Sequence, residues 1–243
     1  MNGFSKRELT NCFKCNFKLS CFFQHLEPAA QKVWNDIRLS RLFGDDEDIY
    51  AESQKPSGIF VVCKGRAKVF TIDLKGQQMI TWIRHPGELF GHIALFSQNE
   101  YLCNGRSMGT TILSYIDSKT LGEFLNSYPK TYLLFLHKIA NEVRDIQLKL
   151  TDTAYKPAKS KVAQTLINAI SFKSRNTDKP AIYGLKRTEI AEITGLALET
   201  VVRTLADFEK KKIIKREPKA IKILDYHILA KIANPHAKPG LTP

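Results

Sequence analysis

The spacing of hydrophobic residues changes twice along the chain. Between residues 58 and 116, short runs rich in β-branched and aromatic residues are separated by turn residues such as Gly65, Gly76 and Gly87. These runs fall at residues 59–63, 68–72, 79–83 and 110–116. Short strands with regular turn signals are typical of an antiparallel barrel or sandwich, so this stretch is predicted to form one.

A helical pattern replaces the strands between residues 127 and 153. Its apolar positions recur at alternating spacings of four and three residues, which is an a/d heptad repeat. The repeat consists of Tyr132, Leu136, Ile139, Val143, Ile146 and Leu150. So narrow a stripe predicts a coiled coil between two copies of the chain. The alternative is a helix that lies on its own barrel.

The long helical pattern ends at residues 155–158, where Pro157 lacks a backbone donor and disfavours helix in its predecessor. Beyond this hinge, residues 187–208 predict two short helices joined by a turn at Gly195, which is helix-turn-helix spacing. The positions that face the core are Ile190, Ile193, Val201, Leu205 and Phe208.

The second of these helices has the chemistry to read DNA. Glu199, Val202 and Arg203 share its outer face. Arg203 can donate two hydrogen bonds to guanine, Glu199 can accept one from cytosine, and Val202 can pack on a thymine methyl. The alternative is a solvent-exposed ion pair between Glu199 and Arg203 that reads nothing.

Charge and composition favour a nucleic-acid partner. The 243 residues carry a formal charge of +13, which attracts polyanions. Basic residues concentrate near the end of the chain, at Lys210, Lys211, Lys212, Lys215, Arg216, Lys219 and Lys222. Neither a transmembrane run nor a signal sequence is recognisable, so a cytoplasmic protein is expected. No catalytic constellation or phosphate-binding glycine loop emerges, so an enzyme is not expected.

Three blocks of sequence resemble the CRP/FNR family of bacterial transcription regulators. The family's winged helix-turn-helix resembles LKRTEIAEITGLALETVVRTLADFEKKKII, and the helix that opens that domain resembles KVAQTLINAI. The family's β-roll resembles IFVVCKGRAKVF and MITWIRHPGELFGHIALF. The resemblance extends from about Trp34 to Leu229.

The resemblance implies an α+β fold with an N-terminal antiparallel, jelly-roll-like β-roll, a long dimerisation helix and a C-terminal winged helix-turn-helix. The segments expected are 1–25 (cysteine-rich), 26–126 (β-roll sensor), 127–153 (dimerisation helix), 154–235 (DNA-binding) and 236–243 (tail). It further implies a homodimer that binds an inverted repeat in double-stranded DNA and contacts RNA polymerase. Glu199 and Arg203 would read bases, beside the variable position Val202. The contacts to the DNA backbone that it implies are made by Arg187, Thr188 and Thr200.

The cyclic-nucleotide branch of the family holds its ligand with a Gly-Glu segment and an Arg-Ser pair. Here those positions read Gly91-His92 and Tyr101-Leu102. A cyclic phosphate would lose several charge-assisted hydrogen bonds, so cyclic AMP is not the expected effector. Arg106 leaves open a different small ligand in the β-roll.

The N-terminal cysteines match the oxygen-sensing FNR branch. Cys12, Cys15 and Cys21 have its C-x2-C-x5-C spacing, which implies a [4Fe-4S] cluster. Three thiolates rarely complete a cluster or a zinc site. The resemblance places the fourth ligand on a β-roll strand at Ser114, which is not a cysteine.

Cys103 is the candidate for the missing ligand. If residues 102–107 and 110–116 form a hairpin centred on Met108-Gly109, Cys103 lies opposite Ser114, and opposed Cβ atoms are about 4.5–5.5 Å apart. Cys103 can alternatively be a small buried apolar residue, and Cys63 is interpreted as a core residue of this kind.

These patterns together predict an FNR-like regulator in which a cluster on Cys12, Cys15, Cys21 and Cys103 controls dimerisation and DNA affinity. Other interpretations remain open. The thiols can hold a structural zinc with His25 or stay free, and a small ligand in the β-roll can be the signal. A third alternative is an iron–sulfur electron-transfer protein.

Overall fold

The computed structural model describes residues 3–6, 11–170, 180–218 and 220–234, so the tail expected at 236–243 lies outside the described residues. The chain forms two compact units, Met1–Val143 and Arg144–Pro243. Within the described ranges, no helix combines the length and apolarity needed to cross a membrane.

The first unit starts with three short 3-10 helices and continues into a β-roll. The 3-10 helices are Cys12–Lys14, Lys18–Ser20 and Phe22–His25. The strands are β1 (Leu39–Phe43), β2 (Asp48–Tyr50), β3 (Gly58–Ile72), β4 (Gln78–Arg84), β5 (Leu89–Phe90) and β6 (Asn104–Asp117). The α-helices that begin in this unit are α1 (Pro28–Ile37), α2 (His92–Ser97), α3 (Ser118–Ser127) and α4 (Thr131–Tyr155).

All strand pairs of this sheet are antiparallel, as the sequence predicts. β6 pairs with β1, β2 and β3, and β3 also pairs with β4 and β5. Two core clusters flank the sheet. One lies among β-roll strands and is rich in aromatic rings, and the other joins the N-terminal segment to α1, α3 and α4.

The hairpin predicted around Met108-Gly109 is wrong. β6 runs as one strand through these residues, and Ser114 faces Ser40 on β1 and Val61 on β3. Gly109 has a φ of +73° opposite a register shift in β3 between Lys64 and Arg66. The glycine therefore accommodates a local irregularity in the strand and does not reverse the chain.

The second unit contains the predicted winged helix-turn-helix. α4 ends at Tyr155, and Pro157 precedes the next helix. The later elements are α5 (Ala158–Asn168), β7 (Ala181–Tyr183), α6 (Arg187–Thr194), α7 (Leu198–Lys210), β8 (Ile214–Glu217), β9 (Ala220–Ile223) and α8 (Tyr226–Ala233). Gly195, with a φ of +65°, ends α6. Of the positions predicted to face the core, the second unit buries Ile190, Val201, Leu205 and Phe208, and Ile193 is half-buried.

Candidate functional site

Four of the five cysteines line a single pocket in the first unit. Cys12, Cys15 and Cys21 come from the N-terminal segment, and Cys63 comes from β3. The other lining residues are Phe17, Lys18, Phe23, Trp34, Arg38, Val61, Val62 and Gly87. We call this site the cysteine pocket. Apolar side chains form much of its wall, which limits the access of water to the sulfur atoms.

Short 3-10 turns set the three N-terminal thiols around the pocket. Asn11 caps the first turn by accepting a hydrogen bond from the Phe13 N–H at 2.9 Å. The N–H of Cys12 donates to the Asn35 side chain of α1 at 3.1 Å. Cys21 separates the second and third turns. A short turn or 3-10 helix thus follows each cysteine, and α1 anchors the first cysteine.

The structure places Cys63, and not Cys103, with the N-terminal trio. Cys63 is half-buried, lies outside both core clusters, and faces the pocket. Cys103 packs against the aromatic cluster of the β-roll, beside Tyr50. The failed hairpin explains the difference, because Cys103 precedes the strand that carries Ser114 and cannot face it.

Burial and a neighbouring cation act in opposite directions on the thiols. Burial raises the pKa of Cys12 to about 12 and that of Cys63 to about 11, while the positive charge of Arg38 opposes both increases. Burial also raises the pKa of Cys21. Arg38 is 2% exposed and donates to Ser114 Oγ at 3.4 Å and to Asn35 Oδ1 at 3.1 Å. Its charge opposes the effect of burial without outweighing it, so both pKa values stay above the ordinary 9.0.

The thiols surround the pocket without converging on one point. In the described part of the chain, no three cysteine, histidine or acidic side chains are grouped tightly enough to hold a single metal ion. His25, the partner in the zinc alternative, is exposed and lies outside the pocket lining. The chemistry of the donor set, four sulfur atoms in an apolar setting beside an arginine, suits a sulfur-ligated iron cluster.

The residues predicted to contact DNA lie on the accessible side of the helix-turn-helix. Glu199 and Arg203 are exposed on α7, and Val202 and Thr200 are half-buried. Arg187 and Thr188 are exposed at the start of α6. The ion pairs of α7 instead join Asp207 to Lys159 and Lys211, and Glu209 to Arg216. Glu199 and Arg203 are therefore accessible to an approaching duplex.

The heptad positions of α4 form an exposed apolar stripe in the single chain. Tyr132, Leu136, Val143, Ile146 and Leu150 are between 46% and 71% exposed, and Ile139 is half-buried. We call these six residues the apolar stripe. Their exposure does not fit the alternative in which α4 buries this face on its own barrel.

Aromatic rings fill the interior of the β-roll. The rings of Tyr50 and Tyr101 stack with centroids 3.9 Å apart, and Phe60 stacks on Phe90 at 5.3 Å. Phe4 adds a ring 4.9 Å from Tyr115. Arg106, the residue that left open a small ligand in the β-roll, is held by Asp48, and its Nε lies 2.6 Å from the carboxylate. A bound nucleotide would have to displace stacked side chains.

Two domain families match this architecture. Residues 40–128 match the cyclic nucleotide-binding domain, and residues 160–232 match the Crp-like helix-turn-helix domain. The two matches together cover about two thirds of the chain. This pairing defines a class of DNA-binding transcription regulators that act as dimers. The chain belongs to the CRP/FNR family of that class.

Individual relatives match the chain at low identity. The chain is 26% identical over 191 residues to the transcriptional activator protein anr of Pseudomonas aeruginosa, a match covering 78% of each protein. It is 23% identical over 213 residues to a CRP-like cAMP-activated global transcriptional regulator of Mycobacterium tuberculosis, covering 87% of this chain and 95% of that protein. The structure of FixK2 from Bradyrhizobium japonicum superposes with a TM-score of 0.73 at 20% identity, over 81% of this chain and 97% of that one.

Sequence reasoning missed three residues that the structure places in the cysteine pocket or in a buried ion pair. Cys63 and Arg38 line the cysteine pocket, and Glu142 is 3% exposed on α4. An isolated cysteine in an apolar strand gives no signal of its own. The sequence predicts a solvated position for a glutamate beside the apolar stripe, and only the folded β-roll reveals its buried partner Arg84, 2.8 Å away.

Proposed function

We propose that this chain is a homodimeric, FNR-like transcription regulator that senses oxygen or redox state through a [4Fe-4S] cluster. The observation that carries the proposal is the cysteine pocket, which Cys12, Cys15 and Cys21 line together with apolar side chains. Iron–sulfur clusters are held by cysteine thiolates, and the spacing of this trio resembles that of the oxygen-sensing branch.

The output of the proposed sensor is sequence-specific DNA binding. α7 presents Glu199 and Arg203 to solvent, in the positions expected to meet base edges in the major groove. Pairing of two apolar stripes would place two such helices on an inverted repeat, with half-sites about one helical turn apart. The family's contact with RNA polymerase is part of the same proposal.

The N-terminal segment is positioned to influence the dimerisation helix. The ring of Phe22, next to Cys21, lies 4.8 Å from Phe135 of α4 and 5.4 Å from Trp34 of α1. All three side chains are buried in one core cluster. Thiols fixed around the pocket keep Phe22 against Phe135 and so hold α4 where its stripe pairs.

Loss of the cluster on exposure to oxygen would remove the constraint that it imposes on the cysteines that hold it. The segment bearing Phe22 then packs less firmly against Phe135, and the equilibrium shifts away from the DNA-binding dimer. A differential free energy of only about 1–3 kcal/mol changes affinity about 5- to 150-fold.

Anaerobic isolation of the full chain tests the proposal. We expect a brown protein with about four irons per chain and a visible absorption band that disappears in air, together with loss of binding to an inverted-repeat duplex. A colourless, iron-free protein after anaerobic isolation contradicts the sensor. Bound zinc with no iron would indicate that the cysteines hold a structural zinc and not a sensor cluster. A cluster-bearing protein that shifts no inverted-repeat duplex in either redox state supports electron transfer.

A ligand-sensing β-roll is the second candidate, because residues 40–128 match the cyclic nucleotide-binding domain. The stacked rings of Tyr50, Tyr101, Phe60 and Phe90 occupy its interior, and we do not expect cyclic AMP to bind. A ligand at 100 times its Kd stabilises a protein by about 2.7 kcal/mol, so a melting temperature that rises with cyclic AMP would favour this candidate.

A further inference from the structure

Cys63 occupies an irregular position on β3. Val62 faces Leu113 of β6 and Lys64 faces the next partner, Ile112, so Cys63 has no partner in the ladder. An extra residue of this kind is a β-bulge, and bulges re-aim side chains beside functional sites. The bulge coincides with the one strand cysteine that lines the cysteine pocket.

The bulged cysteine lies beside the strand position where the family resemblance places a ligand. Ser114 of β6 faces Val61, two residues before Cys63. The backbone of Ser114 is within hydrogen-bonding reach of the Cys63 thiol. β6 has a serine at this position, and the neighbouring strand β3 supplies a thiol close to it at Cys63.

A single turn connects the strand cysteine to the N-terminal trio. The N–H of Gly87 donates to the Val62 carbonyl at 2.8 Å, and the Gly87 carbonyl accepts from the Phe22 N–H at 3.3 Å. Val62 adjoins Cys63, and Phe22 adjoins Cys21. The backbone therefore fixes two cysteines from distant parts of the sequence on opposite sides of one glycine.

We infer that Cys63 is the fourth thiolate ligand of the cluster, an inference that rests on the proposed function. The ligand set is then Cys12, Cys15, Cys21 and Cys63, and Cys103 belongs to the aromatic interior of the β-roll. Arg38 lines the same pocket and supplies a positive charge beside the four thiolates. The arrangement attaches the N-terminal segment to β3, the strand that pairs with β4, β5 and β6.

Matched alanine substitutions of the two strand-region cysteines test the assignment. The full-length chain, Cys63→Ala and Cys103→Ala are reconstituted anaerobically with iron and sulfide, and iron, sulfide and the absorption band are measured. Even outer-shell partners of a metal cost about 10- to 100-fold in affinity when removed. We therefore expect Cys63→Ala to retain the cluster at least about tenfold less well, while Cys103→Ala matches the unaltered chain.

The control variants separate a lost ligand from a damaged fold. The iron-free forms of all three proteins should melt at similar temperatures. The double variant Cys63→Ala/Ser114→Cys returns a thiol to the neighbouring strand and should regain the absorption band. Full iron in Cys63→Ala, or equal loss in Cys63→Ala and Cys103→Ala, overturns the assignment. The assignment is also overturned if Cys63→Ala loses the cluster and melts at a lower temperature, and the double variant does not regain the cluster. A cluster missing from the unaltered chain is instead a failure of the proposed function.

Discussion

The carboxylate of Glu142 on α4 lies 2.8 Å from the guanidinium of Arg84 on β4, and both side chains are buried. His92 Nε2 lies 3.3 Å from the same carboxylate, and Lys138 Nζ lies 2.9 Å from it. His92 stands where the resemblance gives the cyclic-nucleotide branch a glutamate. That position contacts α4 in this chain, so buried charge joins the β-roll to the helix.

Replacing Glu142 with glutamine should destabilise the first unit strongly. The substitution leaves Arg84 buried without its counterion, and breaking one side of a buried pair costs about 3–5 kcal/mol. Urea unfolding measures the change. The matched control, Glu123→Gln, alters an exposed glutamate on α3 and should stay within about 0.5 kcal/mol of the unaltered chain. Equal stability of the two variants would contradict a structural role for the pair.

The buried contacts of Glu142 with Arg84 and His92 predict that the iron-free protein loses stability in acid. Burial lowers the pKa of His92 below its ordinary 6.5, against the opposing effect of Glu142. Burial would raise the pKa of Glu142, but His92 and Arg84 hold it well below its ordinary 4.5. The unfolded chain then binds more protons in acid, so stability present above pH 6.5 falls as the pH drops towards the folded pKa of His92. A second loss begins below pH 4.5.

Comparison with His92→Gln isolates the histidine's part of that pH dependence. The groups that face His92 are Arg84, Lys138, Glu142 and the ring of Phe135. Unfolding free energies are measured for both proteins between pH 7.5 and 5. The unfolding free energy of the variant should depend less on pH. A constant difference between the two proteins across this range would show that His92 does not cause the pH dependence.

Gly87→Ala should weaken cluster retention while Gly76→Ala should not. Both glycines have positive φ angles, +93° and +76°, so each substitution carries a backbone cost of about 1–2 kcal/mol. A Cβ at position 87 would meet the Ser20 carbonyl at 2.9 Å and Cys21 Cα at 3.0 Å, whereas one at position 76 meets nothing within 4 Å. Iron per chain after anaerobic reconstitution is the measurement. Equal iron in the two variants would show that the turn does not position the cysteines.

Arg203→Ala should lower affinity for the specific inverted repeat by about 1–3 kcal/mol, because one bidentate contact to guanine is lost. Binding to random duplex DNA, which rests on phosphate contacts, should change little. Titrations of both duplexes over a range of salt concentrations measure the difference. Equal losses on the two duplexes would show that Arg203 contacts phosphate and does not read bases.

Ile146→Glu should dissociate the dimer without unfolding the chain. Ile146 is 48% exposed in the single chain, so the charge is tolerated there but costs about 3 kcal/mol or more when buried in a paired stripe. Leu148→Glu is the matched control, since Leu148 is 57% exposed on the same helix but outside the stripe. Sedimentation equilibrium should show a Kd raised at least about 100-fold for the first variant only. Dimers of equal strength would place the interface elsewhere.

The helix-turn-helix and α4 were predictable because their signals are local. Gly195 ends α6 and the apolar positions repeat within one or two turns, so neither depends on distant partners. The sheet is different. Whether Met108-Gly109 reverses the chain or continues a strand depends on β1 and β3, which lie far away in the sequence.

The predicted position of Cys103 opposite Ser114 was wrong for the same reason. The Cys63 bulge exists only relative to the register of β3 against β6, and no property of residues 59–63 announces it. The motif predicts the trio, whereas the sheet pairing decides which further cysteine reaches it.

Glu142 and Val143 are consecutive residues that lie on different faces of α4. The first is buried against the β-roll and the second is 48% exposed in the apolar stripe. Successive helical residues are about 100° apart around the axis, so rolling α4 by a single residue would turn a carboxylate towards the apolar surface. The helix therefore has one favoured rotational setting against the β-roll. Under the proposed function, a signal would act by releasing that setting or restoring it, because intermediate angles would turn Glu142 away from Arg84 and towards the apolar stripe.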